Sequence, residues 1–249
     1  MHRVVSLVPS LTDAIEATAP GLVAGATDWC THPPDLAVAR VGGTKNPRVA
    51  DIIAIAPDLV IANDEENREP DIAALIAAGL PVWVTAPRTV PDALSSLDRM
   101  LRLGCGLDRP DWLDRAVEVW SAPYDGPRRR AAVPIWRRPW MVVGRESFAG
   151  DLLARLGIDN VMADAAQRYP RVGLDELHDL EPELIVLPDE PYAFSPADGP
   201  EAFADWGVTV ACVSGRHLTW YGPSLVEARQ VLTSQLSSHP HSNECSGPG

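Results

Sequence analysis

Hydrophobic and polar positions alternate in a way that separates short buried runs from amphipathic stretches. The apolar run Arg3–Val8, closed by Pro9, predicts a buried strand, and Ser10 or Thr12 can cap a helix beginning near Asp13. Gly21–Ala26 predicts a second strand. Arg48–Ala56 predicts an amphipathic helix ended by Pro57, followed by a strand at Leu59–Ala62. Pro70–Ala78 predicts a helix stopped by Gly79, and Pro81–Thr85 the next strand. Helices at Val90–Leu103 and Asp111–Trp120 complete this half. Such βαβα alternation implies an α/β fold with parallel sheets covered by helices on both faces.

The pattern restarts after the Pro- and Gly-containing segment Ser121–Arg130, at Pro139–Gly144. Arg48-Val49…Ala56-Pro57-Asp58-Leu59-Val60-Ile61 is echoed by Arg171-Val172…Glu181-Pro182-Glu183-Leu184-Ile185-Val186. Gly79 before one β-rich run matches Gly207 before another, and Gly21-Leu22-Val23 matches Gly157-Ile158-Asp159. Two similar lobes are expected: an N-terminal lobe over 1–106, a bridging helix and linker over 107–132, a C-terminal lobe over 133–236 and a disordered tail over 237–249.

Composition narrows the function classes. The chain has 249 residues, 46% hydrophobic and 22% charged, which excludes a disordered or collagen-like polymer. A net charge of −13 argues against nucleic acid as a partner. No run reaches the roughly 20 apolar residues of a membrane span. No signal peptide is visible, so the sequence as written is expected in the cytoplasm, or outside it if an export leader is missing. Cys30, Cys105, Cys212 and Cys245 show no metal spacing and read as reduced structural thiols.

Candidate chemistry lies in the loops after the predicted strands, where open parallel sheets bind ligands. Eight Trp stand against three Phe, and Trp suits a large flat ligand at low entropic cost. Trp83, Trp112 and Trp120 read as core; Trp29, Trp136, Trp140 and Trp220 read as ligand-facing. Catalytic templates fail: there is no Gly-x-Ser-x-Gly, P-loop, dinucleotide fingerprint or His-Glu-x-x-His. The acidic loops Asp64-Glu65-Glu66 and Asp189-Glu190 leave open a hydrolase reading. His217 is a candidate ligand contact within an aromatic loop.

Val5-Ser6-Leu7-Val8-Pro9-Ser10, Pro33-Pro34, Gly42-Gly43-Thr44-Lys45-Asn46-Pro47, Pro57-Asp58-Leu59-Val60-Ile61-Ala62 and Leu218-Thr219-Trp220-Tyr221-Gly222-Pro223 together carry a resemblance. In their order, they resemble the periplasmic binding proteins that hold vitamin B12, haem and ferric siderophores for ABC importers. The resemblance implies two α/β lobes bridged by one helix, a non-enzymatic role, no cofactor of its own and a monomer. Its ligand would be a large metal chelate, cobalamin first, with haem or a ferric siderophore as alternatives. A cytosolic corrinoid carrier or sensor is a further alternative. Ligand contacts are expected from Trp29, Lys45, Asn63, Glu65, Asn67, Arg88, Trp136, Arg137, Trp140, Arg145, Tyr192, His217, Trp220 and Tyr221. An ABC permease would dock on Glu69 in the N-lobe and on Asp198 or Glu201 in the C-lobe. Ser224 stands where similar sequences tend to have Arg, leaving an anionic group to Arg88, Arg137 or Arg145.

Overall fold

The computed structural model describes residues 3–237. Contacts divide these into two compact units, one running through Ala122 and including Trp220–Val226, the other comprising Pro123–Thr219 and the chain from Glu227 onward. The chain therefore returns to the first unit after completing most of the second. The expected tail beyond Ser237 lies outside the described residues.

The first unit is built on a five-stranded, wholly parallel sheet. Its strands are β1 (Val4–Ser6), β2 (Val23–Ala26), β3 (Ala39–Arg40), β4 (Leu59–Asn63) and β5 (Val82–Thr85), in the order β3-β2-β1-β4-β5. Five helices accompany them: α1 (Pro9–Thr18), α2 (Val49–Ile55), α3 (Glu69–Ala77), α4 (Val90–Arg99) and α5 (Asp111–Ser121). All five residues of β4 are buried, as a central parallel strand requires. Val5, Leu7, Val41, Ile52, Val60, Ala62 and Leu75 form a core between the sheet and α2 and α3. Each fully buried Val, Leu or Ile side chain among these contributes about 1.5–3 kcal/mol through desolvation.

Local departures from the expected elements have physical causes. The helix α1 starts at Pro9, with Val8 at its N-cap and no side-chain cap, because proline's fixed φ suits the first helical position. Thr12, expected as a possible cap, donates its hydroxyl back to the Val8 carbonyl at 2.9 Å. The predicted helix over Val90–Leu103 is α-helical only to Arg99 and widens into a π turn at Met100–Gly104. The strand β3, two residues long, was too short to show a period.

The second unit has a four-stranded parallel sheet of β6 (Arg129–Ala132), β9 (Ile158–Asn160), β10 (Leu184–Pro188) and β11 (Thr209–Val213), ordered β11-β10-β6-β9. A short antiparallel pair, β7 (Pro134–Trp136) and β8 (Met141–Val142), follows β6. Helices α6 (Phe148–Ala154), α7 (Leu174–His178) and α8 (Gly215–Thr219), a 3-10 helix at Pro200–Trp206 and, from Glu227 on, helix α9 (Leu225–Ser237) complete it. The pattern restarts at β6, earlier than the expected Pro139, because the arginine run Arg128-Arg129-Arg130 hides a strand. Arg128, just before the strand, pairs with Asp159 of β9 at 2.5 Å, while Ala131 and Ala132 fill the core.

The duplication read from the sequence is repeated in the backbone. Ala56 and Glu181, each preceding the Pro-acid pair, both take left-handed φ, 50° and 49°. Gly21 and Gly157 sit at 85° and 82°, and Gly79 and Gly207 at 82° and 67°. Three matched positions thus turn the chain out of a helix toward a strand in the same manner in each unit.

Trp112 and Trp120 of α5 are buried, and both indoles find partners within the first unit: Trp112 donates to Thr18 at 3.1 Å and Trp120 to the Leu225 carbonyl at 2.9 Å. The stretch expected to bridge two lobes is in this way anchored on the first.

Candidate functional site

In the first unit the strand order reverses between β1 and β4, and the carboxyl ends of these strands open onto the loops that carry most candidates. Asn63 ends β4, and its side-chain oxygen accepts the amides of Glu65 (2.7 Å) and Glu66 (3.1 Å), which folds the acidic loop into a tight turn. Asn67 closes that turn by accepting the Asn63 amide at 2.9 Å. Its NH2 group donates to the carbonyls of Leu7 and Thr44 at 3.3 and 3.0 Å, tying together the loops after β1, β3 and β4.

A directional chain of hydrogen bonds crosses beneath this loop. The Asn63 NH2 group donates to the Tyr221 hydroxyl at 2.7 Å, and that hydroxyl lies 2.9 Å from Thr85 Oγ1. Thr85 in turn donates to the Ala62 carbonyl at 3.2 Å, which leaves its oxygen to accept from Tyr221. Burial drives the Tyr221 phenol far above its ordinary range; Glu66 and Glu65 push the same way, while Thr85 and Asn63 oppose. Tyr221 therefore stays a protonated donor. Replacing it with Phe removes two partners of buried groups and is expected to lower stability by about 1–2 kcal/mol, read as a lower thermal midpoint.

Trp220 packs against His32 edge-on at 5.4 Å and is only 9% exposed. Trp220, Tyr221, Asn63 and Asn67, all expected at the ligand, are buried residues that hold the loops in place. Trp29 differs. It follows β2, is 67% exposed, and lies over Gly43, where a Cβ would stand 3.5 Å from the indole nitrogen. Its loop is clamped by Arg40, whose guanidinium donates to the carbonyls of Thr27 and Cys30 at 2.9 Å each and of Leu36 at 3.0 Å. Arg40 escaped the sequence reading because nothing local marks a side chain that caps backbone carbonyls ten to thirteen residues away.

Lys45 donates to the Glu65 carbonyl, and Arg88 binds both Asp64 and Glu65. Glu69 begins α3 and is exposed. Lys45, Asn63, Glu65, Asn67, Arg88 and Tyr221 thus form one network, with Trp29 on the neighbouring loop.

In the second unit, the hairpin β7–β8 and the loop after β10 bring aromatic residues together. Trp136, 42% exposed, meets Tyr192 edge-on at 5.7 Å, and Tyr192 leans on buried Phe194 at 4.6 Å. Trp140 stacks nearly parallel on Phe194 at 6.0 Å and meets Phe203 at 5.4 Å. Arg137 lies over Trp140, 5.4 Å from the ring, and pairs with Asp198 and with Glu201 at 2.5 Å. The Tyr192 hydroxyl donates to Asp198 at 2.7 Å, which raises its pKa. The Gly199 amide, and then Arg137, hold the Glu201 carboxyl below its ordinary range. Asp198 and Glu201, expected to meet a partner protein, are thereby engaged with Arg137.

Arg145 and His217 belong to neither network. Arg145 pairs with Glu146 at 2.7 Å. The two ring nitrogens of His217 contact Ser214 at 2.8 Å and Glu227 at 3.0 Å. Beside this Ser-His-Glu chain, the Ser214 amide donates to Gln235 and the Gly215 amide to Asp189, so both amides are engaged within the protein. The acidic loops are likewise engaged, Asp64 and Glu65 by Arg88 and Asp189 by that amide. Cys30, Cys105 and Cys212 are free thiols; burial raises all three, Cys105 to about 11, so they are poor nucleophiles. Among the described residues no group of three or more His, Cys, Asp and Glu is placed to hold a metal, and no helix is long and apolar enough to cross a membrane.

Comparison with known proteins gives a consistent picture. A vitamin B12-binding protein of Yersinia pestis is 24% identical over 253 residues, covering 96% of this chain and 88% of the relative. The periplasmic vitamin B12 binding protein of Vibrio cholerae superposes with a TM-score of 0.77 at 18% identity, covering 94% of this chain and 96% of its own. A periplasmic haem-binding protein from Roseiflexus superposes at 0.75 with 20% identity, covering 94% and 97%. The sequence profile of the periplasmic binding proteins matches residues 4–204. This family consists of substrate-binding proteins rather than enzymes, and the chain belongs to it.

Proposed function

We propose that the protein binds a cobalamin-type corrinoid outside the cytoplasm and delivers it to an ABC permease. The observation that carries this reading is Trp29: a broad aromatic face, two-thirds exposed, on a loop held rigid from beneath by Arg40. An exposed indole on a braced loop offers a broad flat surface suited to a large flat ligand. Trp136 and Tyr192 offer a second aromatic surface of the same kind on the other unit. The vitamin B12-binding relatives support the choice of corrinoid.

Haem is disfavoured by the side chains that would ligate its iron. The Tyr192 hydroxyl is donated to Asp198, His217 is bonded through both ring nitrogens, and Tyr221 is buried and hydrogen-bonded. Glu69, exposed at the start of α3, is a carboxylate available to orient a permease. Mixing the purified protein with cobalamin, haemin or ferric siderophores and passing each mixture through gel filtration tests the reading. Cobalamin absorbance is expected to travel with the protein. Colour retained only from haemin or a siderophore, or from none of the three, would overturn the corrinoid assignment.

A further inference from the structure

Each arginine that the sequence offered for an anionic ligand group already has a carboxylate partner. Arg88 binds Asp64 and Glu65, and Arg137 binds Asp198 and Glu201, so each guanidinium faces two carboxylates. Arg145 is paired with Glu146. The one lysine, Lys45, donates to the Glu65 carbonyl. The Arg137 pairs share the β7–β8 hairpin and the loop after β10 with Trp136 and Tyr192, and the Arg88 pairs join the loops after β4 and β5, while Trp29 lies in the loop after β2. Arg137 is further held by its position over Trp140 and is largely covered, its side chain 12% exposed.

The chemistry of such pairs is selective. A ligand carboxylate offers only acceptors, so at these two guanidinium groups it must displace a protein carboxylate or meet the two that flank each of them. A neutral amide carries no net charge, brings N–H donors as well as an acceptor, and leaves the ion pairs intact. We infer that the Arg88–Asp64–Glu65 and Arg137–Asp198–Glu201 pairs are specificity determinants that select metal chelates with a neutral, amide-bearing rim over the same ring bearing carboxylates. The inference rests on the metal-chelate reading above and adds the charge class of the ligand.

The test compares amide and carboxylate forms of one ring at a time: dicyanocobinamide against dicyanocobyrinic acid, and haemin diamide against haemin. Affinities are read by titration with the full chain. The amide form is expected to bind at least about tenfold more tightly on the ring that is accepted, since like-charge juxtaposition costs more than one decade of affinity. The double variants Asp64→Asn/Glu65→Gln and Asp198→Asn/Glu201→Gln free a guanidinium each and are expected to narrow that ratio severalfold, with unchanged circular dichroism showing that the fold is kept. Equal or tighter binding of a carboxylate form would overturn the selection while leaving the chelate reading in place. An amide preference that neither double variant narrows would remove these carboxylates as its cause. No binding of any of the four compounds would overturn both readings.

Discussion

Replacing Trp29 by Ala is expected to weaken chelate binding by about 30-fold or more while leaving the thermal midpoint nearly unchanged. The two effects separate because the indole is 67% exposed and its removal opens no cavity in the core. Its loop keeps its shape without it: Asp28 donates its amide to the Gly42 carbonyl at 2.8 Å, the Cys30 amide donates to Thr27 at 3.1 Å, and Arg40 clamps the carbonyls of Thr27 and Cys30. Trp29→Phe retains a flat face of smaller area and should recover part of the affinity. Trp220→Ala is the informative contrast. That indole is buried against His32, so its removal should lower stability by about 3–5 kcal/mol, as truncation of a buried aromatic does. Calorimetric titration and a thermal melt on the three variants check the pattern. Unaltered affinity in Trp29→Ala would remove this residue from the binding surface.

Gly215→Ala is expected to cost about 3 kcal/mol and to lower the thermal midpoint by about 6–12 °C. A Cβ at Gly215 would lie 2.3 Å from Glu190 Cγ and 2.7 and 2.8 Å from the Glu190 amide nitrogen and carbonyl oxygen. The side-chain carbon can swing aside, but the backbone atoms move only if the loop after β10 moves with them. That loop also carries Tyr192, so the substitution should disturb the aromatic surface as well as stability. Gly173→Ala serves as the control, because open space surrounds its Cβ. A Gly215→Ala variant that melts with the natural protein would show that the two loops are not locked together at this point.

Much of the fold was legible in the sequence because it rests on local patterning. The apolar strands β1, β2, β4 and β5, the helix-stopping glycines and the Pro-acid pairs before β4 and β10 are all written in residues a few positions apart. The matching left-handed backbone at Ala56 and Glu181 shows that the repeated sequence carries repeated geometry. Where local signals were weak, the reading slipped. Two-residue β3 has no period to detect, the arginine run before Ala131 obscured β6, and α1 begins at Pro9 without the side-chain cap expected of it.

The candidate site divides along the same line. Residue types and their position after strands marked loops that a parallel sheet delivers to one end. What each residue does there depended on partners distant in the chain. Tyr221 meets Asn63 across 158 positions and Arg137 meets Asp198 across 61. Such pairings decide which polar groups are buried and satisfied and which charges are neutralised, and only the folded topology brings them within hydrogen-bonding distance. The sequence by itself determined the α/β architecture, its duplication and the aromatic character of the loops. Tertiary structure alone decided that Trp29 is presented while Trp220 is enclosed, and that the arginines arrive already paired.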